Sequence, residues 1–389
     1  MTEQLLLKKI PFDVGAYNQK IDARIPKHLS FICIYDKKSG RVKQIDNPQI
    51  RRALNTAYRV GCYGSTPLGE GTFGQQWADD IFSAIIKATE NNDLKDISFL
   101  EIGCANGYLC YLLKKRRAKR VLGIEPGDKA LVGRRKFKIN IIRDFFPSKK
   151  VKEKQDFIFS HNVLEHIEDL LDFLENIYNL LNYGGTVFVA VPDCKRKMEL
   201  GDISILSHEH YNYFTADSLR FILGKVGFSK IKTIPARYNS AIYMYGKKLK
   251  KIKEKNVVKI NNQKSASLFS KFKKVLHKNI KVLQGIIDEN KDKKIGFYGC
   301  TSPLFGVLKF YQRFRLFDGD REKHGKYYSG LNGKIENPEN LLKSPVDILF
   351  ITPIDHEKTI RKYLKKIGVS KKIRIVSLKD IYYLNSKNI

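Results

Sequence analysis

Between Phe99 and Glu125 the chain reads Phe99-Leu100-Glu101-Ile102-Gly103-Cys104-Ala105-Asn106-Gly107, then a helix-forming stretch over Tyr108–Lys115, then Val121-Leu122-Gly123-Ile124-Glu125. An apolar run that ends in small residues and hands over to a helix lets the backbone approach a ligand closely. Gly103 and Gly107 bracket that turn, with Ala105 between them. The second apolar run ends in an acid 24 residues after Glu101. A carboxylate at such a strand tip can accept both hydroxyls of a ribose. The spacing therefore predicts two parallel strands, a helix crossing between them, and an adenosine-type ligand at their ends.

The alternation continues on both sides. Trp77, Ile81, Phe82, Ile85 and Ile86 recur at helical spacing before the first strand. Asp156–Ser160 and Thr186–Val191 read as buried strands flanking a helix over Asp169–Leu181, which the run Asn182-Tyr183-Gly184-Gly185 ends. A helix over Ala216–Val226 and strands near Ile231–Ile234 and Ala241–Tyr245 close the unit. A lysine run, Lys247–Lys255, and a long amphipathic helix from Leu268 to Ile287 follow. Strand–helix alternation restarts at Lys294 and persists to Leu378, so a second, smaller α/β unit is expected. The organisation predicted is an N-terminal extension over 1–75 with weak periodicity and possible substrate contacts, a ligand-binding α/β domain over 76–248, a basic linker and long helix over 249–290, and an accessory α/β domain over 291–389.

With 389 residues, 42% hydrophobic and 29% charged, the chain has the composition of a globular protein of two domains. No apolar run is long enough for a secretory signal or a membrane span, so a soluble, cytoplasmic protein is expected. The six cysteines (Cys33, Cys62, Cys104, Cys110, Cys194, Cys300) form no CxxC pair and suggest neither a disulfide framework nor a zinc set. A net charge of +32 can attract phosphates, but lysine is spread along the chain rather than gathered in one arm, so a solvated lysine-rich surface is the plainer reading and a small-molecule substrate, rather than nucleic acid, is the expected partner.

The 99–125 pattern resembles motif I and its acidic successor in class I S-adenosylmethionine (SAM)-dependent methyltransferases. Asp156–Ser160 with His161-Asn162-Val163-Leu164-Glu165-His166 resembles that family's fourth strand and substrate-facing tip. A nicotinamide-binding unit would want GxGxxG, which this turn lacks. The resemblance implies a Rossmann-like class I sheet with a second, smaller Rossmann-like domain, SAM as cofactor, and cofactor contacts from Glu101, Gly103, Cys104, Ala105, Gly107, Glu125 and Asn162.

A narrower resemblance rests on His208-Glu209-His210-Tyr211-Asn212-Tyr213-Phe214, on His166, and on the C-terminal series Phe297-Tyr298-Gly299-Cys300, Phe317-Asp318-Gly319-Asp320 and Asn337-Pro338. Together these are similar to the nucleotide-sugar (deoxysugar) C-methyltransferases, whose N-terminal zinc module has no counterpart here. This implies methyl transfer to carbon or oxygen of a nucleotide-linked sugar in glycan or polysaccharide biosynthesis. His210, Glu209 and His166 would form the acid–base group, and Tyr63, His208 and Tyr211 would line the pocket. No metal is expected, since a His208/His210 pair has no evident further ligands. Two other readings stay open: an RNA methyltransferase, and a non-catalytic subunit keeping the SAM fold as scaffold.

Overall fold

The computed structural model describes residues 3–12, 15–17, 24–60, 73–237, 240–250, 260–328, 330–369 and 371–387. Tyr63, expected to line the pocket, lies outside the described residues.

The central sheet has seven strands, in spatial order Asn140–Ile142, Arg120–Ile124, Ser98–Ile102, Gln155–His161, Leu181–Pro192, Ala241–Lys247 and Ser229–Ile234. The first five are parallel. Ala241–Lys247 runs antiparallel to Leu181–Pro192, and Ser229–Ile234 pairs antiparallel with it in turn. Strands here are apolar on both faces because helices cover both. Phe99, Phe157, Phe188 and Tyr243 pack with Ile81, Ile85, Leu109 and Leu113 on one side. Leu100, Ile158, Val187 and Met244 pack with Leu174, Ile177, Leu219 and Leu223 on the other. This is a class I methyltransferase Rossmann-like α/β fold. Its strand order reverses between Ser98–Ile102 and Gln155–His161, and the crevice beyond their carboxyl ends is where open α/β sheets bind ligands.

Local rules set the element ends. Asp169 caps the helix Leu170–Leu180 by accepting from Asp172 N–H. Thr215 and Ser218 form a reciprocal capping box on Ala216–Val226. The helix ends at Leu180, just before the run Asn182–Gly185, and the next strand begins at Leu181 rather than at Thr186, taking that run in. Lys248, inside the densest lysine run, is buried and donates to the carbonyls of Tyr178 and Leu181 at the end of that helix.

A second α/β sheet is built from five parallel strands in the order Ile335–Glu336, Arg315–Phe317, Ile295–Tyr298, Ile348–Ile351 and Arg374–Ser377. A third sheet is antiparallel and joins Gln4–Pro11, His28–Asp36, Arg41–Gln44 and the two-residue strand Asn212–Tyr213. The described residues among the first 75 thus carry more regular structure than their sequence suggests. The period-2 signal is broken where the register shifts between Leu7 and Ile10, across Lys8 and Lys9. A helix, Pro48–Val60, follows.

The long helix Asn262–Glu289 is core as well as connection. It buries Phe269, Phe272, Leu276, Leu283 and Ile287 against Leu5, Ile10 and Phe31 of the N-terminal sheet and Phe297 and Phe350 of the C-terminal one. Asn279 donates to the carbonyls of Leu200 and Gly201 and accepts from Asn385. Ala16–Tyr17 also pairs with Tyr327–Tyr328. No helix among the described residues is long and apolar enough to cross a membrane.

Candidate active site

The glycine-bracketed turn sits at the crevice. Gly103 N–H and Cys104 N–H both donate to Ile124 carbonyl, at 2.9 and 3.2 Å, so the turn is tied to the neighbouring strand. Gly103 has φ +72°, and a Cβ there would lie 2.5 Å from Val163 Cγ2. Only glycine fits. Ala105 (φ 47°) and Asn162 (φ 50°) hold the same left-handed conformation without being glycine. Such strain gathers at functional sites.

Glu125 faces this turn: its carboxylate accepts from Ala105 N–H at 3.0 Å and Gly127 N–H at 2.8 Å. Each oxygen keeps lone pairs for a ribose diol. Asn106 is buried and its carboxamide oxygen accepts from Tyr108 N–H, starting the helix Tyr108–Lys115. Asn106 Nδ2, Ser160 Oγ and His161 Nδ1 are buried without a protein partner. Polar atoms left in that state mark a place that a polar ligand completes, so the residues present fit SAM. Glu101, 1% exposed, lies 3.4 Å from His161 Nε2 and accepts from the Cys110 thiol at 3.0 Å. Burial and the Glu101 carboxylate push that thiol far up, so it stays a donor. Cys104 departs from expectation. Its side chain turns inward among Cys110, Ala130, Ile139 and Ile141, and it can serve a ligand only through its backbone.

At the tip of the fourth strand the turn Leu164–His166 and the loop 207–213 meet. His166 and His210 rings lie 4.9 Å apart, nearly edge to face. His166 Nε2 is 3.9 Å from Glu165, and its Nδ1 is 3.0 Å from Glu209 carbonyl. Glu165 is 2% exposed, and one of its oxygens has no protein partner. Burial raises its pKa. Burial, with His166 and Lys197 adding repulsion, lowers the His210 pKa to about 3, so this imidazole is neutral at physiological pH.

Asn212 locks the meeting point. Its Nδ2 donates to the carbonyls of Leu164 and Ile167, and its oxygen accepts from Arg41 Nε of the N-terminal sheet. Tyr211 N–H donates to Glu165 carbonyl at 2.7 Å.

Several expectations change. Glu209 reaches His166 through its backbone carbonyl, and the carboxylate beside the two imidazoles belongs to Glu165. His208 does not line an open pocket: it is buried against Phe12 and Phe31, and that burial lowers its pKa to about 4. The Tyr211 ring packs with Phe12, Tyr17 and Ile50, which pushes its hydroxyl up to about 12. His210 does have further possible ligands. One ligand atom each from Glu165, His166 and His210 lie within 4.8 Å of one another. Glu165 and Asn212 were missed in the sequence. An acid set between Leu164 and His166 at a strand tip was the available sign for Glu165.

The family described as "Methyltransferase domain" matches residues 75–233. Curated proteins named tRNA U34 carboxymethyltransferase are similar to this chain. That of Nautilia profundicola is 26% identical over 215 residues, 52% of this chain and 68% of its own length. Those of Campylobacter hominis (31% over 104 residues) and Cellvibrio japonicus (34% over 101) match about a quarter of this chain, and the match spans about a third of their length. Among solved structures, the magnesium protoporphyrin IX methyltransferase of Synechocystis PCC 6803 with bound S-adenosylhomocysteine aligns over 48% of this chain and 90% of its own, at 17% identity and TM-score 0.38. These relatives overturn the nucleotide-sugar reading: they are named for tRNA, and the likeness to sugar C-methyltransferases finds no support among them. On the ground of that family match, residues 75–233 form a class I SAM-dependent methyltransferase domain.

Proposed function

We propose that this enzyme modifies a nucleoside in RNA, with tRNA as the substrate class to test first. The observation that carries the reading is the similarity, through the methyltransferase domain and in one case over half the chain, to proteins named for a tRNA uridine. The net charge of +32 supports it, since binding to a phosphate backbone scales with the charges a protein can neutralise.

SAM supplies a methyl group on a sulfonium, open to in-line attack. The chain's own work is to hold and orient. Gly103, Ala105, Gly107 and Glu125 cradle the adenosine end, and the buried Glu101 offers a carboxylate to the cationic amino-acid end. Asn162 shapes the strand tip between donor and acceptor. His166 and His210, held against Glu165 by Asn212, receive the acceptor nucleoside. Bringing donor and acceptor into register accounts for much of the barrier lowering in such transfers. The C-terminal unit, 291–389, is read as an accessory domain without a catalytic cofactor of its own.

Incubation with SAM labelled in its methyl group and bulk bacterial tRNA should place label in one nucleoside after digestion, with the rate falling steeply as salt rises. Label that never enters tRNA or rRNA, at any salt, overturns the reading.

A further inference from the structure

We propose that Glu165, His166 and His210 form a binding site for one first-row divalent transition-metal ion (manganese, iron, cobalt or zinc) on the acceptor side of the crevice. The proposal deepens the RNA reading and rests on it only for the acceptor's identity.

Two imidazoles and one carboxylate make a donor set suited to such ions, whereas magnesium and calcium prefer all-oxygen shells. One ligand atom from each of the three residues lies within 4.8 Å of the others. Ligands of one tetrahedral ion, each about 2.1 Å from it, stand about 3.4 Å apart. Glu165 and His166, 3.9 Å apart, would close by about half an ångström on binding. The widest pair of the three would close by no more than about 1.4 Å.

Two observations beyond the cluster itself point to a ligand, and a third shows what keeps the site in shape. Glu165 is 2% exposed, yet one of its oxygens has no protein partner. His166 is held at Nδ1 by the carbonyl of Glu209, at 3.0 Å. Metal-bound histidines are oriented by just such a bond from the ring nitrogen away from the ion, and here it leaves Nε2 turned to Glu165. Finally, the scaffold is over-determined: Asn212 ties the Leu164–His166 turn through two carbonyls, and Tyr211 N–H ties Glu165 carbonyl. These bonds hold both ligand-bearing segments together whether or not an ion is there.

Three protein ligands leave at least one position open. Glu165 follows His161 by four residues at the same strand tip, and His161 Nε2 lies 3.4 Å from Glu101 at the cofactor turn. An ion held there could use its open position to take an oxygen of the acceptor nucleoside.

The full-length chain, stripped with chelator and freed of any affinity tag, should be titrated with Mn²⁺ followed by its paramagnetic resonance and with Co²⁺ followed by its visible bands. One ion per chain is expected. Glu165→Gln and His210→Ala should each weaken binding at least tenfold, and His277→Ala, an exposed histidine on the long helix, should leave it unchanged. Melting temperatures of all variants report whether they fold, and Glu165→Gln keeps the side chain's shape should His210→Ala misfold. No saturable binding at millimolar ion, or equal binding by wild type and Glu165→Gln, overturns the proposal. The titration needs no RNA, so the two readings fail separately. Metal bound without label in RNA sinks only the substrate, and label in RNA at full rate in chelator with no metal bound sinks only the site.

Discussion

At the tip of its second strand the central sheet carries Glu125, and the C-terminal sheet carries Asp318. The two sheets share the order of their five parallel strands, so these acids occupy equivalent places. Their surroundings differ. Glu125 accepts from the backbone N–H of Ala105 in the turn it faces and from that of Gly127 just beyond it, whereas Asp318 is neutralised by Lys323 at 3.0 Å and accepts from Asp320 N–H. The strand tips at the reversal differ likewise. In the C-terminal sheet Thr352 hydroxyl donates across the gap to Tyr298 carbonyl, and Pro353 packs over Gly299. In the central sheet Ser160, His161 and Glu165 leave buried polar atoms unanswered. The same topology thus makes a ligand crevice in one place and a sealed seam in the other, and side chains at four strand tips decide which.

The first way to break this comparison uses its paired glycines. Gly103 and Gly299 both have left-handed φ, and in each a Cβ would meet a side chain at 2.5 Å. Valine at either position should cost similar stability, on the order of 1–3 kcal/mol. Only Gly103→Val should also cut SAM affinity, by roughly 100-fold, or about 3 kcal/mol. Equal SAM binding by the two variants in calorimetry would erase the distinction. The paired acids sharpen it at smaller scale. Glu125→Ala should weaken SAM by about 10- to 100-fold, as a ribose diol loses its acceptor, while Asp318→Ala should stay within about twofold. A matching loss in both would give the C-terminal sheet a share in the cofactor.

The smallest effect concerns the third sheet. His208, buried against Phe12 and Phe31, has its pKa lowered from 6.5 to about 4. As pH falls below 6.5 the unfolded chain takes up that proton before the folded one does, so stability declines between pH 6.5 and 4. The loss from pH 7 to 5 should be about 1–2 kcal/mol for this group, and His208→Phe should remove it. An unchanged slope of melting temperature against pH would show that the imidazole is not sealed in.

The donor half of the molecule was legible in the sequence because it is written locally. Strand, turn, helix and acid follow one another within 99–125, and Tyr108–Lys115 and Ala216–Val226 fell where periodicity and capping residues put them. The acceptor half is assembled from distant segments, and its logic appears only in three dimensions. His208, Glu209 and His210 look alike in a polar run, yet one is buried in aromatics, one contributes a carbonyl and one faces Glu165's neighbour His166. Residues 1–75 were opaque for a related reason. Their strands bury one face against the long helix and the C-terminal sheet, so the partners that give the alternation its meaning lie over 200 residues away.

The pairing of Arg41–Gln44 with Asn212–Tyr213 sets a timetable for biogenesis. The edge that will brace His210 leaves the ribosome early and must wait for about 170 residues of synthesis, roughly 10–30 s at ordinary elongation rates, before its partner strand exists. During that wait the edge is an unpaired strand, open to the wrong neighbour. The helix Ala216–Val226, which covers Leu100 and Ile124 on the central sheet, emerges only just after Asn212–Tyr213, so both sides of the crevice are completed at nearly the same point of synthesis.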